Sequence, residues 1–217
     1  MSVTQLIDGP EGELEILLDA PDNSGSESSA AFTTSPAAVA ICCHPHPLHG
    51  GSMQNKVVHI LAKSFLALGC QVVRFNFRGV GQSAGTFAEG IGEQDDLVAV
   101  VAWCRQQWPK APIWLAGFSF GAYIAAAAHA DIAPQRLVLV APPVDMYPAI
   151  KTIQINTADW MLIQGEQDEI VAASAVQEWA DQQTLPAKTL FIAGASHFFH
   201  GKLNLIKDGL LSAWSDS

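Results

Sequence analysis

Residues 117–121 read Gly-Phe-Ser-Phe-Gly, a G-x-S-x-G pattern. A serine hydroxyl attacks a carbonyl only when it is held in the open and a base takes its proton. The pattern supplies the first condition. Its serine sits on a sharp turn between a strand and a helix, and the residues two positions to either side must be small because strand and helix pack closely there. The helix that follows points its first N–H groups at the place where negative charge develops. The pattern occurs twice, since Gly81-Gln82-Ser83-Ala84-Gly85 also fits. Ser119 follows the apolar run Ile113-Trp114-Leu115-Ala116 and precedes an Ala-rich helical stretch. Ser83 follows a loop sequence and precedes Gly85-Thr86-Phe87-Ala88-Glu89-Gly90, which is no helix. Ser119 is therefore the expected nucleophile and Ser83 a turn residue.

The base and the acid that orients it are expected further along the chain, in the order serine, acid, histidine. Gly165-Glu166-Gln167-Asp168 follows one apolar run, and Gly194-Ala195-Ser196-His197 follows the last one. Asp168 and His197 are the expected acid and base. Glu166, Glu169 and Asp145 are alternative carboxylates, His200 is an alternative base, and Asp168 could instead cap the next helix. A tetrahedral oxyanion also needs N–H donors. Phe120, directly after the nucleophile, supplies one. The other is expected from His44-Pro45-His46-Pro47-Leu48-His49-Gly50-Gly51, where the prolines have no N–H to give. His46 is the first choice there and Leu48 the second. Three imidazoles so close together can bind zinc. However, two prolines fix the backbone between them and no Asp or Glu stands nearby to complete a metal site. No metal or cofactor is expected.

The elements that must position these residues show in the hydrophobic pattern. Wholly apolar runs at 38–43, 113–116, 137–140 and 160–163, with strand-like stretches at 71–77 and 189–192, alternate with segments of helical period. Val58, Leu61, Phe65 and Leu68 share one helical face, ended by Gly69; Leu97, Val101, Cys104 and Trp108 share another. The alternation predicts an α/β fold: a doubly wound, mostly parallel sheet covered on both faces. Two extended pieces around the turn at residues 8–12 lack a helix between them and should form an antiparallel N-terminal edge. Residues 22–36, rich in serine and without periodicity, read as a mobile loop within one domain spanning 1–217.

Composition narrows the partners. The chain has 217 residues, 49% apolar and 15% charged, enough to build a core. Its formal charge of −10 argues against nucleic acid and anionic membranes, which need a basic surface. Residues 1–55 hold seven acids and no Lys or Arg, so the acidity reads as solubility and edge protection rather than substrate selection. The longest apolar runs fall short of the ~20 residues that span a bilayer. Met1-Ser2-Val3-Thr4-Gln5 carries no secretory pattern. Cys42, Cys43, Cys70 and Cys104 form no CxxC and read as reduced and buried, so a cytoplasmic location is expected.

Taken together, these segments resemble the α/β-hydrolase superfamily from about residue 38 onward. The most telling stretches are residues 43–58 (CHPHPLHGGSMQNKVV) and 74–85 (RFNFRGVGQSAG), which look like a group of small, lidless, bacterial dienelactone-hydrolase-like members. Dienelactone hydrolase itself uses a cysteine where this chain has Ser119, so its substrate is not carried over. The resemblance implies a Ser-His-Asp hydrolase cleaving a carboxylic ester or thioester through an acyl-enzyme. A peptidase or amidase on the same residues, and a non-catalytic binding protein of this fold, are the alternatives. Relatives often insert a lid before the strand at 160–163. Here only residues 141–159 lie between the strands, so an open site for small or short-acyl substrates is expected.

Overall fold

The strands are β1 (Ser2–Gly9), β2 (Gly12–Asp19), β3 (Val39–Cys43), β4 (Gln71–Phe75), β5 (Ile113–Phe118), β6 (Arg136–Val140), β7 (Asp159–Gly165) and β8 (Lys188–Ile192). They form one sheet in the order β1-β2-β4-β3-β5-β6-β7-β8 in the computed structural model, which describes residues 2–21 and 36–215. The Ser-rich stretch expected to be mobile lies outside the described residues, apart from Pro36.

β3 to β8 run parallel, as runs apolar on every residue require when both faces are covered. β1 and β2 form a hairpin whose second strand lies antiparallel to β4, giving the expected antiparallel edge. Helices α1 (Lys56–Ala67) and α5 (Leu203–Trp214) cover one face; α2 (Gly92–Gln107), α3 (Phe120–Ile132) and α4 (Ala173–Asp181) cover the other. The pleat divides adjacent residues between the two cores. Cys43 packs with Ile41 and Val39 under α2 and α3, whereas Cys42 packs with Ala40 and Ala38 under α1. All four cysteines are reduced and buried.

Three helix ends follow the local rules. Asn55 caps α1 by accepting the Val57 N–H at 2.8 Å. Gly69 then turns the chain at φ +80°, a conformation that favours glycine. Ala133 closes α3 in the left-handed region at φ 50°. β6 and β7 are joined by residues 141–158, which carry one short 3-10 turn at Pro148–Thr152 and no α-helix. There is no lid domain. Among the described residues no helix is long and apolar enough to cross a membrane.

Two expectations need correcting. β4 stops at Phe75 rather than reaching Phe77, because the Phe77 N–H leaves the ladder and donates to His44 Nε2 at 3.1 Å. The N-terminal acids are not all solvated edge charges. Asp19 is buried and paired with Arg74 at 2.7 Å, and buried Glu15 accepts from the Asn76 side chain at 2.7 Å and the Gln82 N–H at 2.9 Å.

Candidate active site

The parallel strands all end on one side of the sheet, and the loops leaving them converge there. Ser119 stands in the turn from β5 to α3 with φ 54° and ψ −120°. A non-glycine residue in such a conformation costs on the order of 1–3 kcal/mol, which the surroundings must impose. They do so through hydrogen bonds and close contact. The Ser119 N–H donates to Val140 O at 2.9 Å, and its own carbonyl accepts from Ala122 N–H at 2.8 Å. The flanking glycines have no alternative. A Cβ on Gly117 would lie 2.1 Å from Gly121 O, and one on Gly121 would lie 2.4 Å from Cys43 O.

The loop after β8 brings His197 to this turn. Its Nε2 lies 3.1 Å from Ser119 Oγ and its Nδ1 lies 2.8 Å from Asp168 Oδ2. With the proton on Nδ1 donated as a hydrogen bond to the carboxylate, Nε2 is free to accept from the serine hydroxyl. The His197 ring is buried between Phe118 and Phe198, with centroids at 5.0 and 5.1 Å, and the His197 backbone N–H donates to the Glu169 carboxylate at 3.1 Å. Asp168 comes from the loop after β7. Its Oδ1 accepts the Ile170 and Val171 N–H groups at 2.9 and 2.8 Å. Burial pushes the Asp168 carboxyl up, but the hydrogen bond from His197 and those from Val171 and Ile170 outweigh it, leaving the net shift below the ordinary carboxylate range.

Phe120 and His46 both line the cleft with Ser119, and neither backbone N–H has a hydrogen-bond partner among the described residues. The Leu48 N–H is committed, donating to His46 Nδ1 at 3.2 Å, which removes the second choice for a donor. His44 explains how the turn is held. Its Nε2 accepts the Phe77 N–H, so Nδ1 carries the proton and donates to Pro45 O at 2.6 Å. That carbonyl belongs to the amide whose other end is the His46 N–H, so His44 fixes the plane of the donor. Gly51 closes on the same carbonyl, where a Cβ would sit 2.0 Å away. Burial drives the His44 pKa down to about 4, which keeps the ring neutral. The three clustered histidines therefore divide: His44 is buried with both nitrogens engaged, whereas the His46 and His49 rings lie tilted against each other at the cleft, centroids 4.6 Å apart.

The cleft encloses about 210 Å³. Phe120, Tyr147, Met146 and Phe198 line it, whereas Phe118 and Phe199 are buried in the core beneath. Exposed Met146, Ile170 and Phe198 give it an apolar rim. No Asp, Glu, Lys or Arg lines it among the described residues.

The alternative residues lie elsewhere. Ser83 is buried in its turn, donating to Asn76 O at 2.7 Å and accepting the Glu15 N–H at 2.9 Å. Asp145 is a surface partner of Lys151 at 2.9 Å. His200 points outward against Phe198, and Glu166 is exposed. Two features escaped the sequence reading. Gln164, fully buried at the end of β7, donates to Asp168 Oδ2 at 3.0 Å. Its only sequence signal is one polar residue closing an apolar run. The loop leading to α2 is pinned by buried carboxylates. Asp96 takes the Arg78 guanidinium at 2.7 Å, and Glu93 accepts the Ala88 and Gly90 N–H groups at 2.8 Å each, setting Phe87 against His46 and Phe120.

A family model described as serine aminopeptidase, S33, matches residues 38–161. The chain is similar to an uncharacterized protein of Rickettsia prowazekii (strain Madrid E), 35% identical over 213 residues, covering 89% of this chain and 81% of that one. It is similar to a solved α/β serine hydrolase without a lid from Xanthomonas campestris, at 41% identity and TM-score 0.91, covering 99% of this chain and 94% of that one. It is also similar to an α/β serine hydrolase homologue from Coxiella burnetii, at 43% identity and TM-score 0.88, covering 97% and 96%.

Proposed function

The chain belongs to the serine aminopeptidase S33 family of α/β-hydrolases, and from that premise we propose that this serine hydrolase cleaves small carboxylic esters or thioesters. The observation that carries the proposal is the line from Ser119 Oγ through His197 to Asp168, at 3.1 and 2.8 Å, opening on an uncharged cleft beside two unpaired N–H groups.

Ser119 Oγ attacks the acyl carbon while His197 Nε2 takes its proton. Asp168 holds the ring and stabilises the imidazolium. The oxyanion receives the Phe120 and His46 N–H groups. As the carbon–oxygen or carbon–sulfur bond breaks, His197 returns the proton to the leaving alcohol or thiol. Water, deprotonated by the same histidine, then attacks the acyl-enzyme, and proton return frees Ser119 and the acid.

An aminopeptidase reading is favoured by the family description. It requires the cleft to hold a free α-ammonium, a cation that calls for a carboxylate. The absence of acidic side chains from the lining favours the ester. The small open cleft with its apolar rim suits short acyl groups. Four reduced, buried thiols support a cytoplasmic location.

The test compares p-nitrophenyl acetate, butyrate and hexadecanoate with aminoacyl-anilides. Short esters should be the better substrates, and Ser119→Ala should lower kcat by about 10⁴ or more. Faster cleavage of the anilides, or a fluorophosphonate that labels a residue other than Ser119, overturns the proposal.

A further inference from the structure

We propose that Gln164 is a positioning residue that completes and orients the Asp168 carboxylate; the inference rests on the Ser119-His197-Asp168 reading above. A carboxylate offers about four lone-pair sites. Three of those on Asp168 are filled by the His197 ring and by the Ile170 and Val171 N–H groups. Gln164 Nε2 fills the fourth, at 3.0 Å from Oδ2, the same oxygen that receives His197 Nδ1. With two donors on each oxygen the carboxylate cannot rotate away from the histidine.

Three observations set Gln164 apart from ordinary packing. Its side chain is fully buried within β7. Its Nε2 also reaches Gly165 O at 3.3 Å and Val171 O at 3.2 Å, tying both ends of the loop that presents Asp168. Its Oε1 is buried without a hydrogen-bond partner among the described residues. An orphaned amide oxygen is unfavourable, and an apolar side chain of the same length would avoid it. The amide orientation is nevertheless fixed, because every neighbour of Nε2 is an acceptor. What the residue provides is a neutral donor on Oδ2 at the floor of the site. Glutamate there would set a second negative charge against Asp168.

The donor also governs how hard Asp168 pulls on the histidine proton. Shared among four donors, its charge is partly spent on groups that do not titrate. Without Gln164 more of that charge falls on His197, and the imidazolium is favoured. The other titratable groups around the pair are Glu169 at the His197 N–H, exposed Glu166, and His46 and His49 across the cleft. None of them touches Gln164.

The experiment measures kcat, KM and the pH profile of short-ester hydrolysis for the wild type, Gln164→Leu and Gln164→Met, with thermal midpoints. Gln164→Met keeps an unbranched chain should the branched leucine fail to fold. The expected result is a kcat lower by about tenfold, equivalent to ~1.4 kcal/mol, with KM unchanged because Gln164 does not line the cleft. The acid limb of kcat/KM should move to higher pH by about half a unit. An unchanged limb and kcat in a folded variant, or a loss of kcat that follows the thermal midpoint with no shift of the limb, overturns the inference and leaves the ester reading intact. If the wild type itself is inactive on esters, or active without Ser119, both fail together.

Discussion

His44 should make the protein acid-sensitive in a way that one substitution removes. Burial holds its folded-state pKa near 4, against 6.5 for a free imidazole. The unfolded chain therefore binds a proton below pH 6.5 that the folded chain refuses until pH 4, and stability is lost as pH falls through that window. At about pH 4.5, two units below the free value, the loss is roughly 2.7 kcal/mol at about 1.36 kcal/mol per unit. His44→Leu has no such proton to refuse. At neutral pH it strands the Phe77 N–H and removes the donor on Pro45 O, at a cost of about 2 kcal/mol. The wild type should thus be more stable by about 2 kcal/mol at pH 7, and the two curves should meet near pH 5, with His44→Leu slightly ahead at about pH 4.5. Urea unfolding at fixed ionic strength, stepped from pH 7 to pH 4.5, measures both curves. Exposed His59, also shifted down by burial and remote from His44, contributes equally to each and cancels. A difference that stays constant across the window refutes the reasoning, because the buried imidazole would then not be the group that titrates. The substitution also frees the plane of the Pro45–His46 amide. The kcat of His44→Leu should fall toward the roughly 10²–10³ loss typical of a missing oxyanion donor.

Further expectations follow from close contacts and buried charge. Gly121→Ala should destabilise by more than about 3 kcal/mol or prevent folding, whereas Gly50→Ala, with no atom within 4 Å and only a left-handed φ to satisfy, should cost about 1 kcal/mol; chemical denaturation separates them. Arg78→Met strands the Asp96 carboxylate, whose side chain is 0% exposed, and should cost about 3–5 kcal/mol. The Arg78→Met/Asp96→Leu double variant should recover most of that loss in the same unfolding assay. Burial pushes the thiols of Cys42, Cys43 and Cys104 far up and that of Cys70 to about 12. A thiol reagent should find none of the four in the native protein and all of them after denaturation.

Much of this molecule was legible because its strands are buried on both faces. Continuous apolar runs at 113–116 and 137–140 mark parallel strands in a way a half-exposed strand cannot. Ser119, Asp168 and His197 could be singled out because each stands in the loop that follows such a strand, in the order this turn demands. What escaped depends on contacts between distant segments. The end of β4 is set by His44, 33 residues away in sequence, and not by any breaker near Phe77. Leu48 is ruled out as a donor only by the His46 ring that folds back on it. Gln164 looked like the residue after a strand, because no pattern shows that a buried amide meets a carboxylate four positions on. The acids of β2 read as surface charge because their partners, Arg74 and Asn76, lie on β4 and just beyond it.

The glycines at 117 and 121 bear on how this enzyme can change over generations. Glycine is the smallest residue, so every mutation at either position adds atoms where backbone already stands 2.1–2.4 Å from the new Cβ. The nucleophile turn cannot drift by single steps. The rim is free of that constraint: Met146, Ile170 and Phe198 are exposed, and each stands on a different loop. A substitution at one of them leaves the strand ends and the other two loops untouched. Substrate range can therefore wander one loop at a time around chemistry that does not move.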